Sequence, residues 1–259
     1  MKYVITYSML FLCFFVVWCT TNTTQDSPTT SWSVLSWQVE EISSAKYDEF
    51  YNESTRFLNL AEQDLTSVPD LCDENNFSYA KDVVFIDLAR NNIKKASFEW
   101  LCLVGLQWMD FSANQIESIT NLIVPMWIKK LSLFENKLTT LEWIERYTQL
   151  EYLDVSYNTL NTIANIEELQ LLTSLELQHN QLKSIDAVAK LPLDKLKIEF
   201  NEITDVSVLQ DITTLKEVTL GYNPLPEDVI QTYVDLTKQN NRQLSWGTSI
   251  DVTWEWDTE

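Results

Sequence analysis

The amino-acid sequence predicts an α/β solenoid, about eight short strand-and-turn units stacked in one row with a cap at each end. Three observations predict it. One motif, L-x-x-L-x-L-x-x-N-x-L, recurs in a single register. The apolar residues at its centre alternate, as they do on a strand with one face buried. In the second half of each repeat a further pair of aliphatics, three residues apart, follows the motif. That spacing suits a tight turn or short helical segment. The chain has 259 residues, 45% hydrophobic and 22% charged, the balance of a folded chain and not of a disordered one.

The first element is a targeting segment. Lys2 is followed by an apolar run from Tyr3 to Trp18, the pattern of a secretory signal peptide. Val17 and Cys19 suit a cleavage site before Thr20, so residues 1–19 are read as the signal. The run is shorter than the ~20 residues of a membrane-spanning helix. An uncleaved signal anchor is the alternative, and no membrane span is expected after cleavage. Residues 20–54 are read as leader and N-terminal cap. Within them Ser31 to Ile42, with Trp32, Val34, Trp37 and Val39, is expected to pair as a strand over the first unit.

The repeats occupy residues 55–225. The frame is complete at Val83, Ile86, Leu88, Asn91 and Ile93. It returns at Asn114, Asn136, Asn158, Asn180, Asn201 and Asn223, in steps of 23, 22, 22, 22, 21 and 22 residues. A degenerate unit precedes them: Leu58, Leu60, Leu65 and Val68 are in frame, and Gln63 stands for Asn, 28 residues before Asn91. The excess length places an insertion at roughly Asp70 to Lys81. One such unit cannot bury its own apolar face, so neighbours must stack. The Asn sits where the chain turns out of the strand, with donors and an acceptor for the backbone of adjacent turns. The convex pairs are Ile163 with Ile166, Ile185 with Val188, and Val206 with Leu209.

This pattern resembles the leucine-rich repeat family, and within it the 22-residue class more than the longer Pro- and Phe-rich extracellular class. The resemblance implies a curved horseshoe with one short parallel strand per repeat on its concave side. Equivalent positions of stacked repeats lie about 5 Å apart, within disulfide reach. Cys72 and Cys102 each follow the convex half of successive units. They are expected to bond, contributing roughly 3 kcal/mol; an interchain bond is the alternative. Asn-x-Ser/Thr triplets at Asn22, Asn52 and Asn76 are candidate glycosylation sites, with Asn22 close to the expected new terminus. Pro224 and Pro226 stop the last repeat, and residues 226–259 are read as a helical cap and acidic tail. The helix is expected from Glu227 to about Gln239, with acids in its first turn. An extended segment from Leu244 to Trp256 follows, with Trp246, Trp254 and Trp256 packed in place of a cysteine-rich cap.

Composition narrows the function. Net charge is −20, which argues against nucleic acid and anionic lipid as partners. One histidine, His179, and three scattered glycines leave no metal site, phosphate cradle or nucleophile–base pair to nominate, so no enzyme and no cofactor is expected. His179 reads as a surface residue at a repeat edge. In a leucine-rich repeat the outward strand residues line the concave face. Here Phe57, Phe85, Trp108 and Tyr152, with Phe134 nearby, form an aromatic column, and Asp87, Asp110, Asp154 and Glu176 an acidic one. Exposed aromatics beside charge resemble a protein-binding hot spot. The acids can equally be solvated repeat residues, and Lys130, Lys195 and Lys197 can neutralise them internally. The expected function is a secreted, non-enzymatic binding protein whose concave face recognises an extracellular protein or glycan. The short secreted form resembles insect leucine-rich-repeat immune proteins, mosquito members included, which bind complement-like proteins or microbes. It departs from their longer members, which carry cysteine motifs and a coiled coil after the repeats. The alternatives are an extracellular structural component or an enzyme-regulatory subunit.

Overall fold

A computed structural model describes residues 45–97, 102–231 and 243–245, all within a unit that runs from Ser43 to Glu259. Its strands in chain order are β1 (Tyr51–Asn52), β2 (Phe57–Asn59), β3 (Phe85–Asp87), β4 (Ala96–Ser97), β5 (Trp108–Asp110), β6 (Leu122–Ile123), β7 (Lys130–Ser132), β8 (Tyr152–Asp154), β9 (Ser174–Glu176), β10 (Lys195–Lys197), β11 (Glu217–Thr219) and β12 (Gln243–Ser245). Nine of them form one open parallel sheet in the order β2-β3-β5-β7-β8-β9-β10-β11-β12. This is the expected curved solenoid with its concave parallel sheet. β4 and β6 make a separate parallel pair.

The register follows the motif without a slip. Leu58 pairs with Ile86, Ile86 with Met109, Leu131 with Leu153, and Leu196 with Val218. A shift of one residue would turn this whole row of apolar side chains out to water. These residues and the next apolar position, such as Leu88, Phe111 and Val155, are buried in a single continuous core.

The return path of most later units is a 3₁₀ turn and not an α-helix: Ile144–Arg146, Ile166–Glu168, Asp186–Lys190 and Ser207–Gln210. A 3₁₀ turn repeats every three residues, so its i and i+3 side chains share a face. Ile163 and Ile166, Ile185 and Val188, and Val206 and Leu209 are accordingly buried together.

The first unit is finished by its insertion. Phe77 fills the core beneath it, and Tyr51 packs against Phe77 and Tyr79 with ring centroids 5.5 and 4.8 Å away. The Asp48 carboxylate accepts from the backbone N–H and hydroxyl of Ser78. Cys72 and Cys102 are bonded, with Cα atoms 5.5 Å apart. The outer edge of β2 is taken by the antiparallel β1. The expected cap strand at 31–42 lies outside the described residues, as do Trp246, Trp254 and Trp256. At the other end residues 227–231 are helical, and β12 adds a ninth parallel strand that carries no Asn motif.

Candidate functional site

Every unit leaves its strand through the same turn. The residue before the motif Asn takes a left-handed conformation, with φ between 53° and 57° from Arg90 to Tyr222. The Asn side chain then bridges two units. Asn158 donates to Val155 O of its own turn and Leu133 O of the preceding one, and accepts from Leu138 N–H. Asn91, Asn114, Asn136, Asn180, Asn201 and Asn223 repeat the arrangement. The turns that carry the outward residues are thereby held at a constant pitch.

On the concave face the first column stacks. The Phe57 and Phe85 rings lie 4.5 Å apart at 9°, and Phe85 and Trp108 4.1 Å apart at 14°. Lys130 Nζ sits 5.3 Å over the Trp108 ring and ends the stack. All three rings are half-buried. Because their faces cover one another, the ladder presents ring edges to a partner. Tyr152 stands beyond Lys130, with its hydroxyl 3.5 Å from Asp154 Oδ2. Burial and the nearby carboxylates push the Tyr152 hydroxyl pKa far up. Phe134 does not join this ladder; it meets Tyr157 edge-on at 5.0 Å.

The acidic column holds the turns. Asp87, Asp110 and Asp154 each accept from the backbone N–H two residues on, at Ala89, Ser112 and Ser156, and Asn59 does the same for Ala61. The Ser112 and Ser156 hydroxyls add a second bond to Asp110 and Asp154. Burial raises the carboxyl pKa of Asp87 and Asp154, and the turn bonds only partly offset it. Asp154 is 8% exposed. Glu176 is paired with Lys197 at 3.0 Å, and Glu217 with Lys195 at 3.4 Å. Of the sequence candidates, the structure therefore brings Phe57, Phe85, Asp87, Trp108 and Asp110 into one outward patch. It sets Tyr152, Asp154 and Glu176 into a bonded region further along.

A second ladder escaped the sequence reading. Tyr157, His179, Phe200 and Tyr222 each precede a motif Asn. Their rings stack in succession at 4.0, 4.1 and 3.9 Å, with interplanar angles of 26°, 12° and 12°. Tyr157, Phe200 and Tyr222 are 45%, 40% and 38% exposed. His179, expected as a surface residue at a repeat edge, is half-buried there and forms a rung between two rings. The signal was present as a fourth column one residue before Asn. Reading by strand alternation passes over it, because that residue lies in the turn.

Elsewhere, Trp127 and Trp143 are partly exposed on the flank, with Arg146 stacked 3.9 Å from the Trp143 ring; Trp100 lies outside the described residues. Asn52 is exposed, and its Oδ1 accepts from Ser54 Oγ and Thr55 N–H. Asn76 is half-buried, and its Nδ2 donates to Asp70 O. A cavity of about 350 Å³ is lined by Thr66, Ser67, Val68, Lys94 and Lys95, away from both ladders. Among the described residues no cluster of His, Cys, Asp or Glu is placed to hold a metal ion. No helix among them is long and apolar enough to cross a membrane.

No family model matches the sequence, and no curated protein matches it. Solved structures do. An internalin C2 from Listeria monocytogenes is similar with a TM-score of 0.57 at 21% identity, over 73% of this chain and 80% of that one. An internalin F from the same bacterium has a TM-score of 0.45 at 19% identity, over 63% of this chain and 61% of that one. Internalins are leucine-rich repeat proteins. The first likeness and the unbroken strand register agree on the architecture: the chain has the leucine-rich-repeat solenoid fold.

Proposed function

We propose that this is a secreted, non-enzymatic recognition protein of the 22-residue repeat class, and that the N-terminal half of its concave face binds an extracellular protein. The observation that carries the reading is the Phe57–Phe85–Trp108 ladder beside Asp87 and Asp110. Large rings held rigid by stacking lose little freedom on binding, which is why aromatics dominate binding hot spots. Trp108 Nε1 is also covered without a hydrogen-bond partner, a cost that a plain apolar ring would avoid. Stacked faces leave only edges exposed, which favours a protein over a glycan that would lie flat on a ring. The Cys72–Cys102 bond and the apolar start of the chain support an oxidising, secreted setting. The sequence resemblance to insect repeat proteins favours immune recognition in body fluid as the role.

The test is to add the tagged protein to extracellular fluid, crosslink it, and identify partner and contact sites by mass spectrometry. Crosslinks should cluster at residues 57–59, 85–87 and 108–110. A Trp108→Ala, Asp110→Asn double variant keeps the Ser112 turn bond. It should weaken binding of the captured partner by at least about tenfold, the effect of a hot-spot residue. Unchanged affinity removes the concave reading. Self-crosslinks alone favour the assembly role, for which Val104, Ile123 and Met126 supply exposed apolar surface.

A further inference from the structure

The turn ladder is distinct from the Phe57–Phe85–Trp108 stack, and the fold does not require it. All eight units take the left-handed turn at this position. The first four do so with Glu62, Arg90, Ala113 and Glu135. Only the last four carry rings. A left-handed residue is relaxed as Gly or Asn and strained as a bulky side chain. Four successive rings, each touching the next, occupy four such positions against that preference.

We propose that Tyr157, His179, Phe200 and Tyr222 form a binding strip for an extended polypeptide segment bearing arginine or lysine. Three features select that occupant. The internal ring faces are turned onto one another, so the strip offers mainly ring edges, with the Tyr hydroxyls and the His179 imidazole nitrogens among them, and little open face on which a sugar would stack. Methylene stems of Arg and Lys lie well on such a surface, provided their charged heads reach carboxylates at its border. Those carboxylates are present. Glu135 continues the column as an exposed residue at the Tyr157 end, and Glu199 directly precedes Phe200. Glu199 is half-buried as a residue, and its Oε2 is covered with no hydrogen-bond partner. Because Glu199 as a residue is not fully buried, a cationic donor reaching the exposed part of its carboxylate would offset the desolvation. The whole chain, at −20, attracts a basic segment and repels an acidic one. The length also fits. Three rung intervals of 4.0, 4.1 and 3.9 Å match about four extended residues, two of whose side chains point the same way.

The test uses the secreted protein and nine-residue peptides of arginine, lysine or glutamate at about 0.15 M salt, where diffuse attraction is screened beyond ~8 Å. His179 is the chain's one histidine, so its imidazole NMR signals report on the ladder alone. The arginine and lysine peptides should shift those signals, and the glutamate peptide should not. A Phe200→Asn, Tyr222→Asn variant removes two rings while suiting the left-handed backbone. It should weaken the arginine peptide at least about tenfold. Glu199→Gln keeps every ring and should weaken it about threefold, so the outcome does not hang on one variant. Trp127→Ala, an exposed ring outside the strip, controls for loss of any aromatic. The proposal is overturned if the His179 signals do not move, or if the ring variant and Glu199→Gln bind as the parent does. It is also overturned if Trp108→Ala weakens binding where the ring variant does not, which would seat the peptide on the strand columns.

Discussion

Asp154 carries a charge into a site where an amide would serve. Its Oδ1 accepts from Ser156 N–H and Oγ, and those bonds hold the exit from β8. Burial meanwhile penalises the ionised form. Asn59 shows that an amide oxygen makes the same backbone bond. Asp154→Asn should therefore leave unfolding free energy unchanged or raise it. Asp154→Ala strands the Ser156 N–H and should cost about 1–3 kcal/mol. Urea melts at neutral pH decide this. If the Asn variant falls as far as the Ala variant, the charge itself stabilises the turn. The residue type at this column was legible in the sequence, but its dual role was not. Burial of a turn acceptor depends on how closely the neighbouring repeats approach.

At the scale of elements, the disulfide and the insertion close the irregular end of the array. Cys72 and Cys102 are 30 residues apart and join the insertion to the following unit. A loop of that length constrains the unfolded chain by about 3.6 kcal/mol. Each repeat contacts mainly its neighbours, so loss of the bond should act locally. The Cys72→Ser, Cys102→Ser variant should exchange amide hydrogens faster from β1 through β3, with β8 to β11 little changed. Uniform acceleration along the chain would mean that the units unfold as one. The pairing was legible from repeat geometry. The extended stretch at Leu244 was legible too, but its pairing as a further parallel strand was not, because β12 joins the sheet by backbone register without the Asn frame.

For the whole molecule, net charge and burial act in the same direction. The folded-state pKa values of Asp87 and Asp154 lie above their unfolded values. Each group's stabilisation is therefore complete below the unfolded value, about 3.9, and lost as pH rises through the folded value. Lowering pH also relieves the self-repulsion of a chain at −20. The Tm should rise as pH is lowered from about 7 towards the unfolded carboxylate value of about 3.9, and at pH about 7 it should rise with added salt. A Tm that falls on mild acidification would show that the ion pairs, such as Glu176–Lys197, outweigh both effects.

The sequence by itself determined the repeat length, the strand register and the Asn bridges. Each follows from one residue type recurring at one spacing, and a stack of equivalent units turns spacing directly into neighbourhood. Only the tertiary structure decided which outward residues act together. Stacking distance and ring orientation divided the aromatics into two ladders, placing Phe134 beside Tyr157 and His179 between two rings. Packing also decided that Asp154 is buried and Glu176 is paired. Those outcomes depend on how adjacent turns approach one another, a property of pairs of units that no single repeat contains.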